Sequence, residues 1–182
     1  MVKRAFAPIL ATFKQTKDRV ELWIVNDTLM NYQDTITFRC ATFAGEMLYD
    51  KELRVSVPPN SARIIARINN PLGYSPSSEY LFVYSHTNNF PDNRLFFGEI
   101  KDLQRPTPRF NIEKKVTSAS EIELRLSSQQ FIYFCKIECP YDGTRFSDNY
   151  FDLFPNRPMI VRVRNIAGHS LSPDDVTVSS LE

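Results

Sequence analysis

Cys135 and Cys139 stand four residues apart in Phe131-Ile132-Tyr133-Phe134-Cys135-Lys136-Ile137-Glu138-Cys139, a spacing that invites a thiolate metal site. In an extended strand four residues span about 13 Å, too far for both thiols to share one ion. Both fall on the phase of Phe131, Tyr133 and Ile137, so they read as buried and inert. Cys40, in Ile36-Thr37-Phe38-Arg39-Cys40, reads the same way. Three cysteines are an odd number, which excludes a fully paired disulfide framework. Neither a metal nor a cofactor is expected.

The two histidines, His86 and His169, lie in polar, turn-like contexts, Ser85-His86-Thr87-Asn88-Asn89 and Ala167-Gly168-His169-Ser170. Neither is near a nucleophile elbow, so no Ser–His–acid triad is expected. A glycosidase pair needs two carboxyl groups facing one cleft at a defined separation. Glu121 and Glu123 share the face opposite Ile122 and Leu124 and read as solvated strand positions. Five glycines in the whole chain leave little for a phosphate cradle, and neither a dinucleotide fingerprint nor a Walker loop is present. The residues offer no catalytic set.

The segment Arg145-Phe146-Ser147-Asp148-Asn149-Tyr150-Phe151-Asp152-Leu153-Phe154-Pro155 joins a Ser-Asp-Asn cluster to four aromatics and a Leu-Phe-Pro stop. It reads as a polar turn pinned onto an apolar layer. Asp148, Asn149 and Asp152 hydrogen-bond the backbone, Tyr150 and Phe151 pack, and Pro155 ends the ladder. Aromatic rings also bind sugars by stacking. Trp23 lies on the polar phase of its strand, and Tyr74 and Phe90 fall in expected loops, Asn69–Ser78 and Thr87–Arg94. These three are the candidate carbohydrate contacts. The favoured reading has Trp23 at an interdomain surface and the loop rings covering sandwich ends; an exposed flat patch would reverse it.

The elements that carry these residues are strands, because period two dominates and no segment holds a helical period. Val20, Leu22 and Ile24 alternate with Glu21 and Trp23; Ile36, Phe38 and Cys40 with Thr37 and Arg39; Ala62, Ile64, Ala66 and Ile68 with Arg63, Ile65 and Arg67. Further strands are expected at Phe6–Lys14, Met47–Val57 and Tyr80–Ser85. Turns are expected at Thr16–Arg19, Asn26–Asp34, Ala44–Glu46 and Pro58–Asn60. This spacing is that of an immunoglobulin-like sandwich without the antibody Cys…Trp…Cys pattern. Leu103-Gln104-Arg105-Pro106-Thr107-Pro108 interrupts it, since two prolines in three residues remove donors and force extended backbone. A second series follows at Phe110–Val116, Glu121–Ser127, Phe131–Cys139, Met159–Asn165 and Asp175–Ser180. The expected fold is all-β: two tandem immunoglobulin-like sandwiches, 1–105 and a smaller 106–182.

Lys plus Arg number 22 against 21 for Asp plus Glu, so the chain lacks the electrostatic footprint of a nucleic-acid or anionic-membrane binder. No apolar run approaches the roughly 20 residues of a membrane span. The first residues carry charge but no apolar core, unlike a signal peptide.

Two regions resemble a known family. Lys3-Arg4-Ala5-Phe6-Ala7-Pro8-Ile9-Leu10 followed by Val20-Glu21-Leu22-Trp23-Ile24-Val25-Asn26-Asp27-Thr28 is similar to the passage of a β-mannosidase from its catalytic barrel into the next sandwich. Phe146–Pro155 is similar to a segment of the last immunoglobulin-like domain of the same enzymes, and Val55-Ser56-Val57-Pro58-Pro59-Asn60-Ser61 also fits. Asn156 stands where that segment has glycine, and Asn tolerates positive φ. The resemblance implies glycoside hydrolase family 2, whose β-mannosidases hydrolyse terminal β-mannosides with retention using two glutamates on a (β/α) barrel. It places that barrel N-terminal to Met1, so no catalytic residue carries over. The implied role is a non-catalytic accessory region packing on the barrel of the same polypeptide. The alternative is a stand-alone carbohydrate-binding or adhesion module for mannose-containing glycans.

Overall fold

The computed structural model describes residues 6–69 and 73–181. Lys3–Ala5 of the first family-like segment and Asn70–Leu72 of an expected loop lie outside them. The described chain is built of antiparallel strands, in two compact units. The first comprises residues up to Thr42 and Glu46–Gln104; the second comprises Arg105 onward together with Phe43–Gly45.

The first unit is a sandwich. One sheet holds β1 (Ile9–Gln15), β2 (Arg19–Asn26) and β5 (Ser61–Asn69) in the order β1-β2-β5. The other holds β3 (Tyr32–Thr42), β4 (Met47–Val57), β6 (Glu79–Ser85) and β7 (Asn93–Phe96) in the order β4-β3-β6-β7. Alternate residues of the two sheets meet in one core: Ala11, Val20, Leu22 and Ile24 from the first, Ile36, Phe38, Cys40, Leu81 and Val83 from the second. Asn93 Nδ2 donates to Ala11 O at 2.8 Å, tying β7 to β1.

The second unit repeats the plan. β8 (Asn111–Ser118), β9 (Glu121–Ser127), β11 (Thr144–Phe146) and β13 (Met159–Asn165) pair in the order β11-β13-β9-β8. β10 (Ile132–Glu138), β12 (Phe151–Leu153) and β14 (Thr177–Ser180) pair as β12-β10-β14. Ile122, Leu124, Leu126, Val161 and Val163 face Ile132, Cys135, Ile137, Phe151 and Leu153. Both units are immunoglobulin-like all-β sandwiches, the fold class that the alternation implies.

Strict alternation fails where a strand bulges. The β2–β5 register slips between Leu22 and Trp23, with Trp23 opposite Ile64 and Leu22 opposite Ala66. Ile65, assigned to the polar phase, therefore packs on the core with Ala66 and Ile68, and Ala62 is exposed. The β10–β12 register breaks between Ile132 and Cys135, and Phe134 there takes φ 53°. Ile132 and Cys135, three residues apart, both enter the core, so Tyr133 and Cys135 do not share a phase as expected. Tyr133 instead lies under the Arg105 guanidinium, 4.8 Å from its ring centroid. Three short strands were not anticipated: β7, β11 and β12 span only three or four residues, too few for a period to declare itself. β3 also begins at Tyr32, inside the segment expected to be a turn.

Candidate functional site

The Arg145–Pro155 segment carries its polar turn between β11 and β12. Asp148 Oδ1 accepts from Asn149 N (2.8 Å) and Asn149 Oδ1 from Tyr150 N (2.9 Å), the local caps that short polar side chains make. Asn149 also reaches across to β10: Oδ1 accepts from Ile137 N and Nδ2 donates to Ile137 O, both at 2.8 Å. Its amide thus mimics one rung of a ladder just before β12 begins. Asp152 Oδ1 accepts from Phe134 N at 2.9 Å, satisfying the amide at the β10 bulge. Phe151 is buried in the core, but Tyr150 is 42% exposed with φ 58°, lying against the Phe134 ring. Tyr150 therefore packs at the surface of the turn rather than in the core. Asn156 takes φ 57°, the conformation that lets Asn replace glycine. Asn149→Ala removes both bonds to Ile137 and is expected to destabilise the second unit by about 2 kcal/mol. Amide exchange checks it: an Ile137 amide as protected in the variant as in the parent overturns the ladder role.

Trp23 lies half-buried on the outer face of β2, and its Nε1 donates to Glu21 Oε2 at 3.0 Å. Glu21 is buried although it sits on the polar phase, because Arg19 Nε (2.9 Å) and Arg67 Nε (3.5 Å) close over Oε1. Burial alone would raise its carboxyl pKa; the Trp23 hydrogen bond and the two guanidinium groups outweigh that and hold it below the usual value. The indole donor is thus committed to a carboxylate on its own strand. Tyr74 stacks on Phe97 at 4.8 Å, 11° from parallel, and both pack on the core of the first unit. Phe90 is a buried member of that core, so its ring is not offered to solvent. The three candidate sugar contacts do not gather into one patch.

A groove of about 640 Å³ opens elsewhere on the first unit, lined among others by Gln33, Asp34, Arg54, Ser56, His86 and Thr87. Asp34 is its fixed centre. Oδ2 accepts from the hydroxyls of Ser85 (2.5 Å), Tyr32 (2.7 Å) and Thr87 (2.9 Å), and Oδ1 from Thr35 N. Burial pushes its pKa up, but the Ser85, Tyr32 and Thr87 hydroxyls prevail and lower it. The same pair raises Tyr32, through burial first and the neighbouring carboxylate second. Asp34 is therefore an ionised acceptor with its lone pairs engaged, not a base awaiting a proton.

His86 stacks on Tyr84 at 5.9 Å, and its Nε2 lies 2.7 Å from Thr37 Oγ1 and 3.7 Å from Glu52 Oε1. The cluster has the residue types of a hydroxyl–imidazole–carboxylate relay but not the geometry. A relay needs the hydroxyl and the acid on opposite ring nitrogens, and here both address Nε2. His169 stacks on Tyr141 at 5.1 Å. The groove was not legible in the sequence because its residues come from β3, β4 and the turn after β6; the one local sign was the continued phase of Tyr80, Phe82, Tyr84 and His86.

Burial pushes the thiols of Cys40 and Cys135 up to about 12, with small contributions from Glu79 and Asp152 respectively. Neither is a thiolate at neutral pH. Among the described residues no group of three or more His, Cys, Asp or Glu is placed to hold a metal ion.

Comparison with known proteins gives each half of the chain a relative. The mannosidase Ig/CBM-like domain family matches residues 18–102, and the mannosidase Ig-fold domain family matches 106–182. Among solved structures, the β-D-mannosidase of Dictyoglomus thermophilum superposes with a TM-score of 0.87 at 20% identity, over 100% of this chain and 22% of that one. The exo-chitosanase of Amycolatopsis orientalis gives 0.67 at 12% identity, over 98% of this chain and 26% of that one. At these identities the likeness is one of fold, and the chain spans about a quarter or less of those enzymes. Comparison with curated proteins gave no match. Two domain matches in tandem account for nearly the whole length, and the chain belongs to the mannosidase immunoglobulin-like domain families, of the Ig/CBM-like type at 18–102 and the Ig-fold type at 106–182.

Proposed function

We propose that this chain is the non-catalytic accessory region of a glycoside hydrolase family 2 β-mannosidase, packing on a catalytic barrel carried by the same parent polypeptide. We place its domains at 1–105 and 106–182. The observation that carries the reading is the order and adjacency of the two domain matches, 18–102 followed directly by 106–182. The site chemistry supports it. Glu21 is closed in by Arg19 and Arg67, Asp34 by three hydroxyl groups, and Asp152 by the Phe134 amide. A retaining glycosidase needs two carboxyl groups about 5 Å apart facing an open cleft, one of them free to give up a proton; these three are committed within the fold. The purified chain is expected to leave 4-nitrophenyl β-mannoside intact. Release of nitrophenol at a rate linear in the chain's concentration, and unchanged by further purification, would overturn the assignment.

A further inference from the structure

Asn26-Asp27-Thr28 is the one Asn-X-Ser/Thr triplet in the sequence, the acceptor pattern for N-linked glycosylation. Such a triplet is ordinarily a surface feature, and its surroundings fit: Asp27 is exposed and Leu29 is 83% exposed. Asn26 does not fit. It is the last residue of β2 and wholly buried, with Ile9 of β1 opposite it on one side and Ser61 of β5 on the other.

The side chain is clamped from inside. Nδ2 donates to Met30 O (2.9 Å), Val57 O (3.0 Å) and Pro58 O (3.0 Å). Oδ1 accepts from the backbone of Thr28 at 3.0 Å and from its hydroxyl at 2.7 Å. That hydroxyl also lies 3.0 Å from Met30 O and accepts from Met30 N at 3.3 Å. The two groups that define the triplet, the Asn amide and the Thr hydroxyl, are thus engaged with each other, with the end of β4 and with the turn beyond it.

Glycosyl transfer makes Nδ2 a nucleophile toward C1 of a sugar carried on a lipid pyrophosphate. The N–C bond forms and the C1–O bond breaks. The pyrophosphate leaves with the electron pair, and one Nδ2 proton passes to a base of the transferase. In the folded chain the transferase has no access to a side chain without exposed surface. Transfer also leaves the amide a single hydrogen where three carbonyl oxygens converge, and it adds a sugar ring to a closely packed site.

We infer that Asn26 is a folding-gated glycan acceptor, open in the unfolded chain and closed in the native one, so that the glycan and the native first unit exclude each other. The chain reaches this fold only when the sandwich closes before transfer. Transfer that comes first traps the first unit open, because the modified amide cannot return to the core and the carbonyl groups it served stay unpaired.

The test translates the full chain behind a secretory signal into microsomes and separates the glycoforms by gel mobility. Peptide N-glycosidase identifies the glycan, and Thr28→Ala abolishes the shift due to Asn26. Limited proteolysis then reads which species hold a folded first unit. Chains glycosylated at Asn26 are expected to be digested, and unmodified chains to resist. Ala62→Thr supplies the contrast, since it makes Asn60, an exposed turn residue at φ 47°, a second acceptor. Chains modified at Asn60 alone, sorted by peptide mapping, are expected to stay resistant. Protease-resistant chains carrying the Asn26 glycan overturn the exclusion. A nascent chain that takes no glycan at Asn26 overturns the acceptor assignment. Loss of resistance from the Asn60 glycan alone overturns the burial of Asn26 as the cause.

Discussion

Asn26→Ala is expected to lower the stability of the first unit by about 3–4 kcal/mol, an unusually large loss for a polar residue. The side chain makes five hydrogen bonds from a fully buried position. Alanine removes its donors from three carbonyl oxygens and its acceptor from Thr28. A buried polar group stripped of its partner costs roughly 1–3 kcal/mol, and only those that relax toward solvent recover part of it. Asn26→Asp is the sharper variant: similar in size, it turns a carboxylate toward three carbonyl oxygens and should be at least as damaging at pH 7. The readout is built in, because Trp23 is the one tryptophan of the sequence. Its fluorescence reports unfolding of the first unit. A shift below about 1 kcal/mol in both variants would show that water replaces the clamp.

Phe38→Ala should cost a comparable 3–5 kcal/mol. The ring sits in the middle of β3, almost wholly buried, between Phe13 of the facing sheet (6.0 Å between centroids) and Tyr49 of the neighbouring strand (5.9 Å). Alanine gives up its transfer free energy and leaves a cavity that two sheets, each fixed by its own ladder, cannot close. Against a domain stability of about 5–15 kcal/mol, the Trp23 transition should move to much lower denaturant. Tyr49→Ala touches the same cluster from an exposed position and should cost under about 1 kcal/mol. Equal effects from Phe38 and Tyr49 would mean that the core relaxes around the loss.

The paired sandwiches were largely legible in the sequence because burial on one face of a strand writes itself into alternate residues. Val20, Leu22 and Ile24, and likewise Ile122, Leu124 and Leu126, are core residues for that reason. The bulges were not legible: an extra residue costs nothing in composition, so Ile65 and Tyr133 looked like members of a regular series. Asp152 and Asn149 were recognised as backbone partners, but the backbone they serve across β10 could not be named from spacing. Glu21 fell on the polar phase, and its burial was not legible because one of the guanidinium groups that cover it, that of Arg67, stands opposite it on β5, 46 positions away in the chain.

What the sequence determined by itself was the class of structure and the kinship, since both rest on local order: period two, turn residues, and short motifs in succession. The tertiary structure alone decided what the polar residues do. Asn26 is paired with carbonyl groups 31 and 32 positions away, and Asn165 in the second unit clamps Asp142 O, Thr144 and the amides of Ala167 and His169 in the same manner. A hydrogen bond depends on distance and direction in space, and residues far apart in the chain acquire both only when the sheets have closed. The same closure buried Phe90 and left Leu29 and Met30 outside.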